Sequence, residues 1–242
     1  MSKAKVSIII PTYNEEAHLP ILLECLENQT YKDFEIIVAD ANSKDITRKI
    51  ARDFGAKVVD GGIPSVGRNN GAKVATGDVF VFIDADVTFN NTFLENALDS
   101  FKKRKLDFAT PYYNINVKKF SHRSFFVWGN AYKRFMRYTR FPDGTGQLAI
   151  VKKDKFNEIG GYPNYIIGED TELFWKAARS KYKVGTIKEN FNSSVRRIEK
   201  VGIFWLLLTF SFIGIFLMIG KGGDKVVQSL GVKLYGGLGK AK

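Results

Sequence analysis

The chain has 242 residues, 45% hydrophobic and 26% charged, enough to bury a substantial core and too apolar for a disordered protein. One cysteine, Cys25, excludes a disulfide framework and a cysteine-based zinc site, and two histidines, His18 and His122, argue against a histidine-rich metal centre. The formal net charge of +12 calls for an anionic partner, whether substrate, nucleic acid or membrane surface.

Residues 1–5 run directly into Val6–Ile10, an apolar stretch that stops at Pro11 and is shorter than a signal-peptide core. The amino end is therefore expected to stay in the cytosol. Val6–Ile10, Phe34–Ala39, Lys57–Val59 and Val79–Asp84 read as strands, and their near-continuous apolar character suits a parallel sheet covered on both faces. Between them, Glu16–Glu27 carries Leu19, Leu22, Leu23 and Leu26 at helical spacing, and Ile46–Phe54 and Gly67–Ala75 supply two further helices. Alternating strands and helices imply right-handed crossovers and an α/β sandwich.

Thr92–Lys105 reads as a helix and Phe108–Val117 as a strand. Arg123–Arg140 interleaves aromatics with Lys133, Arg134, Arg137 and Arg140, giving a basic amphipathic helix that either packs on the domain or rests on lipid headgroups. Glu169–Lys181 is another helix. Val201–Gly220 holds no charge and has the length of a bilayer core, so a membrane-embedded helix is expected there, spanning or interfacial, with a hydrophobic dimer interface as the other reading. Residues 201–242 carry five lysines and one aspartate, so the basic excess is shared between this end and residues 1–200. His18 and His122 are expected at the surface, Cys25 in the first helix's core face, and Trp175 in packing.

Asp84-Ala85-Asp86 ends the apolar run Val79–Ile83, and ligands of open α/β sheets bind beyond strand carboxyl ends. Two carboxylates at this spacing suit one Mg²⁺ or Mn²⁺ completed by water and phosphate oxygens. Asp40 also follows an apolar strand, where it either shapes a turn or accepts from a base N–H or a ribose hydroxyl. Pro11-Thr12-Tyr13-Asn14-Glu15 adds a third strand end. Gly67-Arg68-Asn69-Asn70-Gly71 opens a helix whose amides and guanidinium suit a diphosphate.

Taken in order, Val6–Glu16, Asp40, Gly77-Asp78 before Asp84-Ala85-Asp86, Gly160-Gly161-Tyr162 and Gly168-Glu169-Asp170 resemble a family 2 glycosyltransferase of GT-A fold, over roughly residues 5–200. The resemblance implies a Rossmann-like α/β sandwich with a mixed central sheet. The domain is expected to divide into a nucleotide-sugar half at 1–100 and an acceptor half at 101–200, and the uncharged run and the lysines after it give a membrane helix at 201–220 and a basic tail at 221–242. It implies that Pro11, Tyr13, Glu15 and Asp40 hold the nucleoside, and that Asp84 and Asp86 hold the metal and donor diphosphate. Glu169 and Asp170 are the implied catalytic pair, Asp170 being the base, and inversion at the anomeric carbon is implied with them. Ala41 stands where many members carry a second acid, which leaves base preference open. No Gln-x-x-Arg-Trp motif is present, which favours single addition over polymerisation.

From the chemistry, Arg68 is expected to offset charge on the leaving diphosphate. Arg196-Arg197 either anchors the chain to anionic lipid or reaches a phosphate of donor or acceptor, so Arg197 joins the donor-binding set. The expected partners are a UDP- or GDP-linked donor, a lipid-phosphate or glycan acceptor, and a membrane with the catalytic domain on its cytoplasmic face. Nucleic acid is not expected. Two other readings stand beside this one: a sugar nucleotidyltransferase, for which the glycine-free, non-basic segment Pro11–Glu16 is poorly suited, and a non-catalytic basic module, which the carboxylates at three strand ends argue against.

Overall fold

The structure, a computed structural model, describes residues 5–139, 141–144 and 147–219. Along the first third of the chain β1 (Val6–Thr12), α1 (Leu19–Glu27), β2 (Phe34–Asp40), α2 (Thr47–Asp53), β3 (Lys57–Asp60), α3 (Pro64–Val74) and β4 (Val79–Ile83) alternate. Strands β3, β2, β1 and β4 lie parallel and adjacent, with Thr12 level with Asp40. Helices cover both faces, so neighbouring residues of one strand enter different cores. Ile8 and Ile10 pack with the leucines of α1, whereas Ile9 packs with Ala72 of α3 and the rings of Phe80 and Phe82. That two-sided burial is why these strands read as unbroken apolar runs.

The rest of the fold comprises α4 (Phe93–Lys103), β5 (Phe108–Tyr113), α5 (Phe120–Met136), β6 (Leu148–Lys152), α6 (Lys153–Glu158), α7 (Glu169–Arg179), β7 (Val184–Phe191), α8 (Arg196–Val201) and α9 (Ile203–Ile219). The seven strands form one sheet in the order β3-β2-β1-β4-β6-β5-β7. β6 runs antiparallel to both β4 and β5, and β5 is parallel to β7. The sheet is mixed, as expected. Sequence patterning did not reveal β6, α6, β7 or α8.

Two local expectations change. Val201–Gly220 does not form one helix: Val201 closes α8, Gly202 turns the chain at φ +84°, and α9 begins at Ile203. Among the described residues no helix is long and apolar enough to cross a membrane, while Gly220 and the tail 221–242 lie outside them. The start of α9 instead packs on the domain, Leu206 meeting Ile198 of α8 and Phe126 of α5. His122 is buried in α5, not exposed, and so is Lys133, whose Nζ donates to Thr110 Oγ1 at 3.0 Å and to the Pro111 carbonyl at 2.8 Å. Burial lowers the Lys133 pKa to about 8, against the opposing pull of Asp143. Cys25 is half-buried against the first core, and Trp175 is buried as expected.

Candidate active site

Because β1, β2 and β4 are parallel, their carboxyl ends open on one edge of the sheet, and the loops there carry Tyr13–Glu15, Asp40 and Asp84–Asp86. α3 closes against this edge. A Cβ on Gly71 would stand 2.5 Å from Ile9 Cγ2, so a hydrogen side chain is what lets the helix sit directly on β1. That close seating buries Arg68, three residues earlier, to 2% exposure.

Arg68 is the centre of the floor of the site. Its Nη2 donates to Asp84 Oδ1 at 2.8 Å, just past β4, and its Nη1 donates to Glu169 Oε1 at 2.8 Å, in the first turn of α7. Nη1 also stands 3.6 Å from Asp170 Oδ1. The guanidinium lies 5.2 Å from the centroid of the Tyr162 ring. That ring is placed by Asn69, whose side-chain amide donates to the Tyr162 carbonyl at 2.8 Å and accepts from the Tyr162 N–H at 3.0 Å. Gly161 makes this possible, since it takes φ +70° and a Cβ there would meet Asn69 Oδ1 at 2.6 Å.

Three carboxylates thus gather on one cation in a place with little water. Burial first, then the Glu169 and Asp84 carboxylates, push the Asp170 carboxyl well above the usual carboxylate range, with Arg68 pulling the other way. Asp170 keeps 14% of its side chain exposed, so it is reachable from the crevice. Glu169 and Asp170 also face the amide dipoles at the start of α7, where negative charge is favoured.

A second cluster forms the rim. Glu15 lies beyond β1 and Asp86 beyond β4, and Arg196 at the start of α8 joins them. Arg196 Nη2 stands 3.1 Å from Glu15 Oε1 and 3.4 Å from Asp86 Oδ2. His18 Nδ1 is 3.0 Å from the other oxygen of Glu15.

The remaining predicted residues are placed differently. Asp40 is buried, and its carboxylate accepts from Thr12 Oγ1 at 3.1 Å, the Ser43 N–H at 3.0 Å and Ser43 Oγ at 2.5 Å, with Arg48 Nε 3.7 Å away. In this state it organises the turn after β2. Pro11 is half-buried beside α3, and Tyr13 is exposed at the crevice mouth. Arg197 belongs to α8, but its side chain lies outside the described residues. Sequence reasoning missed Arg196 as the arginine that meets the acidic loop, and saw Arg68 as a diphosphate ligand where the structure has it holding carboxylates.

Among the described residues no three or more His, Cys, Asp or Glu converge as a metal site. Asp84 and Asp86 nonetheless suit a hard divalent ion that takes one or two carboxylates and completes its shell from water and a diphosphate. Arg196 Nη2, 3.4 Å from Asp86 Oδ2, shows that this carboxylate already meets a cation.

Residues 7–160 match the family described as glycosyl transferase family 2. The chain is 37% identical over 132 residues to 4,4'-diaponeurosporenoate glycosyltransferase of Staphylococcus haemolyticus, covering 49% of this chain and 35% of that protein. It is 33% identical over 93 residues to GalNAc(5)-diNAcBac-PP-undecaprenol beta-1,3-glucosyltransferase of Campylobacter jejuni, covering 34% of this chain and 29% of the relative. Among solved structures it superposes on mannosyltransferase PcManGT of Pyrobaculum calidifontis, in complex with GDP-Man and Mn2+, with a TM-score of 0.62 at 22% identity, covering 77% of this chain and 55% of that one. The chain spans less than two thirds of each of these proteins.

Proposed function

The chain belongs to glycosyl transferase family 2 and has its GT-A fold, and from that premise we propose that it transfers a sugar from a UDP- or GDP-linked donor to a hydroxyl of a lipid-linked acceptor, inverting the anomeric carbon. The observation that carries this reading is the bridge made by Arg68. One guanidinium ties the acid after β4, where a donor diphosphate would lie, to the acid pair opening α7, where an acceptor would be activated. A donor is placed at the carboxyl ends of β1, β2 and β4, with Tyr13 and Pro11 towards its nucleoside.

Asp170 accepts the proton of the acceptor hydroxyl as that oxygen bonds to the anomeric carbon and the bond from that carbon to the diphosphate breaks. Its place in the first turn of α7, with part of its side chain open to the crevice, suits it to that role. Glu169 keeps Arg68 in place, and Arg68 keeps Asp170 aimed. Asp84 and Asp86 would hold Mg²⁺ or Mn²⁺, which would supply positive charge to the departing diphosphate. A phosphate acceptor would need no base, which is why the hydroxyl is preferred. The GDP-Man and Mn2+ complex of PcManGT and the undecaprenol-linked substrate in the Campylobacter relative's name support the donor, ion and acceptor classes.

Membrane association, with the catalytic domain on the cytoplasmic face, completes the proposal. α5 and α9 share the small core around Phe126 and Leu206 and turn bulky rings outward, with Phe204 69% and Trp205 61% exposed. Arg123 and Arg134 of α5, Arg137 just after it and Lys200 of α8 stand exposed. Aromatics among cations suit an anionic headgroup layer. The reading is tested by incubating the protein with UDP- and GDP-sugars, Mn²⁺ and lipid extract. Sugar appearing on lipid supports it, and neither transfer nor donor hydrolysis with any of them overturns it.

A further inference from the structure

The segment between β7 and α8 is fastened to the acidic loop at two points. Thr88 and Asn192 exchange backbone hydrogen bonds of 3.1 and 2.7 Å. Ser193 Oγ donates to Gln147 Oε1 at 2.7 Å, and the Gln147 carbonyl accepts the Asp84 N–H at 2.9 Å. Ser194 Oγ then accepts the Arg196 N–H at 3.1 Å and starts α8. Arg196 is therefore fixed at its backbone above Asp86 while its long side chain stays 51% exposed.

Its contacts are loose. None is shorter than 3.1 Å, against 2.8 Å for both principal bonds of Arg68. Half-exposed pairs of this kind contribute about 0–1 kcal/mol, so giving them up costs little. Glu15 and Asp86 are themselves only 14% exposed, and Arg196 spans the two carboxylates. A divalent ion on Asp86 would compete with the guanidinium for that carboxylate. A diphosphate arriving with the ion offers the guanidinium oxygens that its planar fork matches.

We infer that Arg196 is an exchangeable counter-cation, neutralising Glu15 and Asp86 in the ligand-free chain and passing to the donor's diphosphate when a divalent ion takes Asp86. This rests on the donor reading above and adds how the site is kept charge-balanced before donor arrives. It makes ion and nucleotide binding mutually reinforcing, because each removes the cost the other meets.

The test measures binding, without turnover, of MnCl₂ alone and of UDP and GDP at saturating Mn²⁺, by calorimetry on wild type, Arg196→Ala and Arg196→Lys. Arg196→Ala is expected to bind Mn²⁺ alone roughly threefold more tightly, since a competitor is gone. The same variant is expected to bind UDP or GDP about tenfold more weakly, with Arg196→Lys in between. Unchanged nucleotide affinity in Arg196→Ala, or unchanged or weaker Mn²⁺ affinity, overturns the inference alone. Failure of the wild type to bind either nucleotide with Mn²⁺ overturns the donor reading and this inference with it.

Discussion

Arg68 and Arg196 both answer carboxylates of the loop after β4, yet they belong to different regions of the crevice. On the floor, a buried guanidinium makes two 2.8 Å bonds to carboxylates from distant parts of the chain and rests on a tyrosine ring. On the rim, a half-exposed guanidinium spans two acids at 3.1 to 3.4 Å. The two acids of Asp84-Ala85-Asp86 therefore have different partners although a single residue separates them: Asp84 bonds to the buried Arg68, and Asp86 meets the half-exposed Arg196. A fixed ion pair suits aiming a base, and a loose one suits a ligand that comes and goes.

The sharpest way to break this contrast is to remove the floor cation. Arg68→Met leaves Asp84, Glu169 and Asp170 without their counter-charge and is expected to cost about 3–5 kcal/mol of stability, read from the urea midpoint, together with all transfer activity. A loss as small as that of Arg196→Ala would make the two sites equivalent and erase the distinction. Next, Asp86→Asn is expected to weaken Mn²⁺-dependent UDP or GDP binding by about tenfold or more while leaving the urea midpoint near that of wild type. A large stability loss would place Asp86 in the floor instead.

The outer face gives a smaller effect. Phe204→Ser with Trp205→Ser is expected to reduce flotation with phosphatidylglycerol vesicles about tenfold without altering nucleotide affinity, since the rings contribute only where they leave water. The smallest effect is a control far from the crevice. Burial works against ionised Glu35, but hydrogen bonds from the Ser7 and Thr76 hydroxyls and the Thr76 N–H outweigh it and bring its pKa from 4.5 to about 2. A carboxyl held lower in the folded chain contributes stability above about pH 4.5 that is lost as pH falls towards 2. Glu35→Gln is expected to flatten the melting temperature of the chain across that window, with activity at neutral pH unchanged.

How much of this was legible in the sequence depends on what each residue packs against. β1, β2 and β4 were readable because two-sided burial makes them near-continuous apolar runs. β7 was not, because Lys188, Glu189 and Asn190 give an edge strand the look of a loop. β6 is a five-residue strand inserted antiparallel between β4 and β5, and no local signal announces that placement. The α8–α9 break had one available sign, the glycine at 202, which an unbroken hydropathy reading passes over. The acidic residues of the site were found from strand ends and ordered motifs. Arg68 and the Arg196-Arg197 pair were picked out as phosphate ligands, but the bonding of Arg68 and Arg196 to those acids was not legible, since an arginine on a helix is ordinarily a surface residue. Gly67 and Gly71 on one face of α3 were the trace of the close packing that buries Arg68. Nothing in a six-residue helix distinguishes Arg196 from Arg197 by periodicity.

In the proposed reaction Asp170 takes the acceptor's proton while the ends of β1, β2 and β4 receive the donor, and Asp170→Asn separates the two roles. Transfer at saturating donor and the Kd for UDP or GDP with Mn²⁺ are measured on one preparation. The account predicts transfer lower by a factor on the order of 10²–10⁴ with the Kd within about twofold of wild type. Full transfer by this variant, or a parallel loss of nucleotide binding, would contradict it.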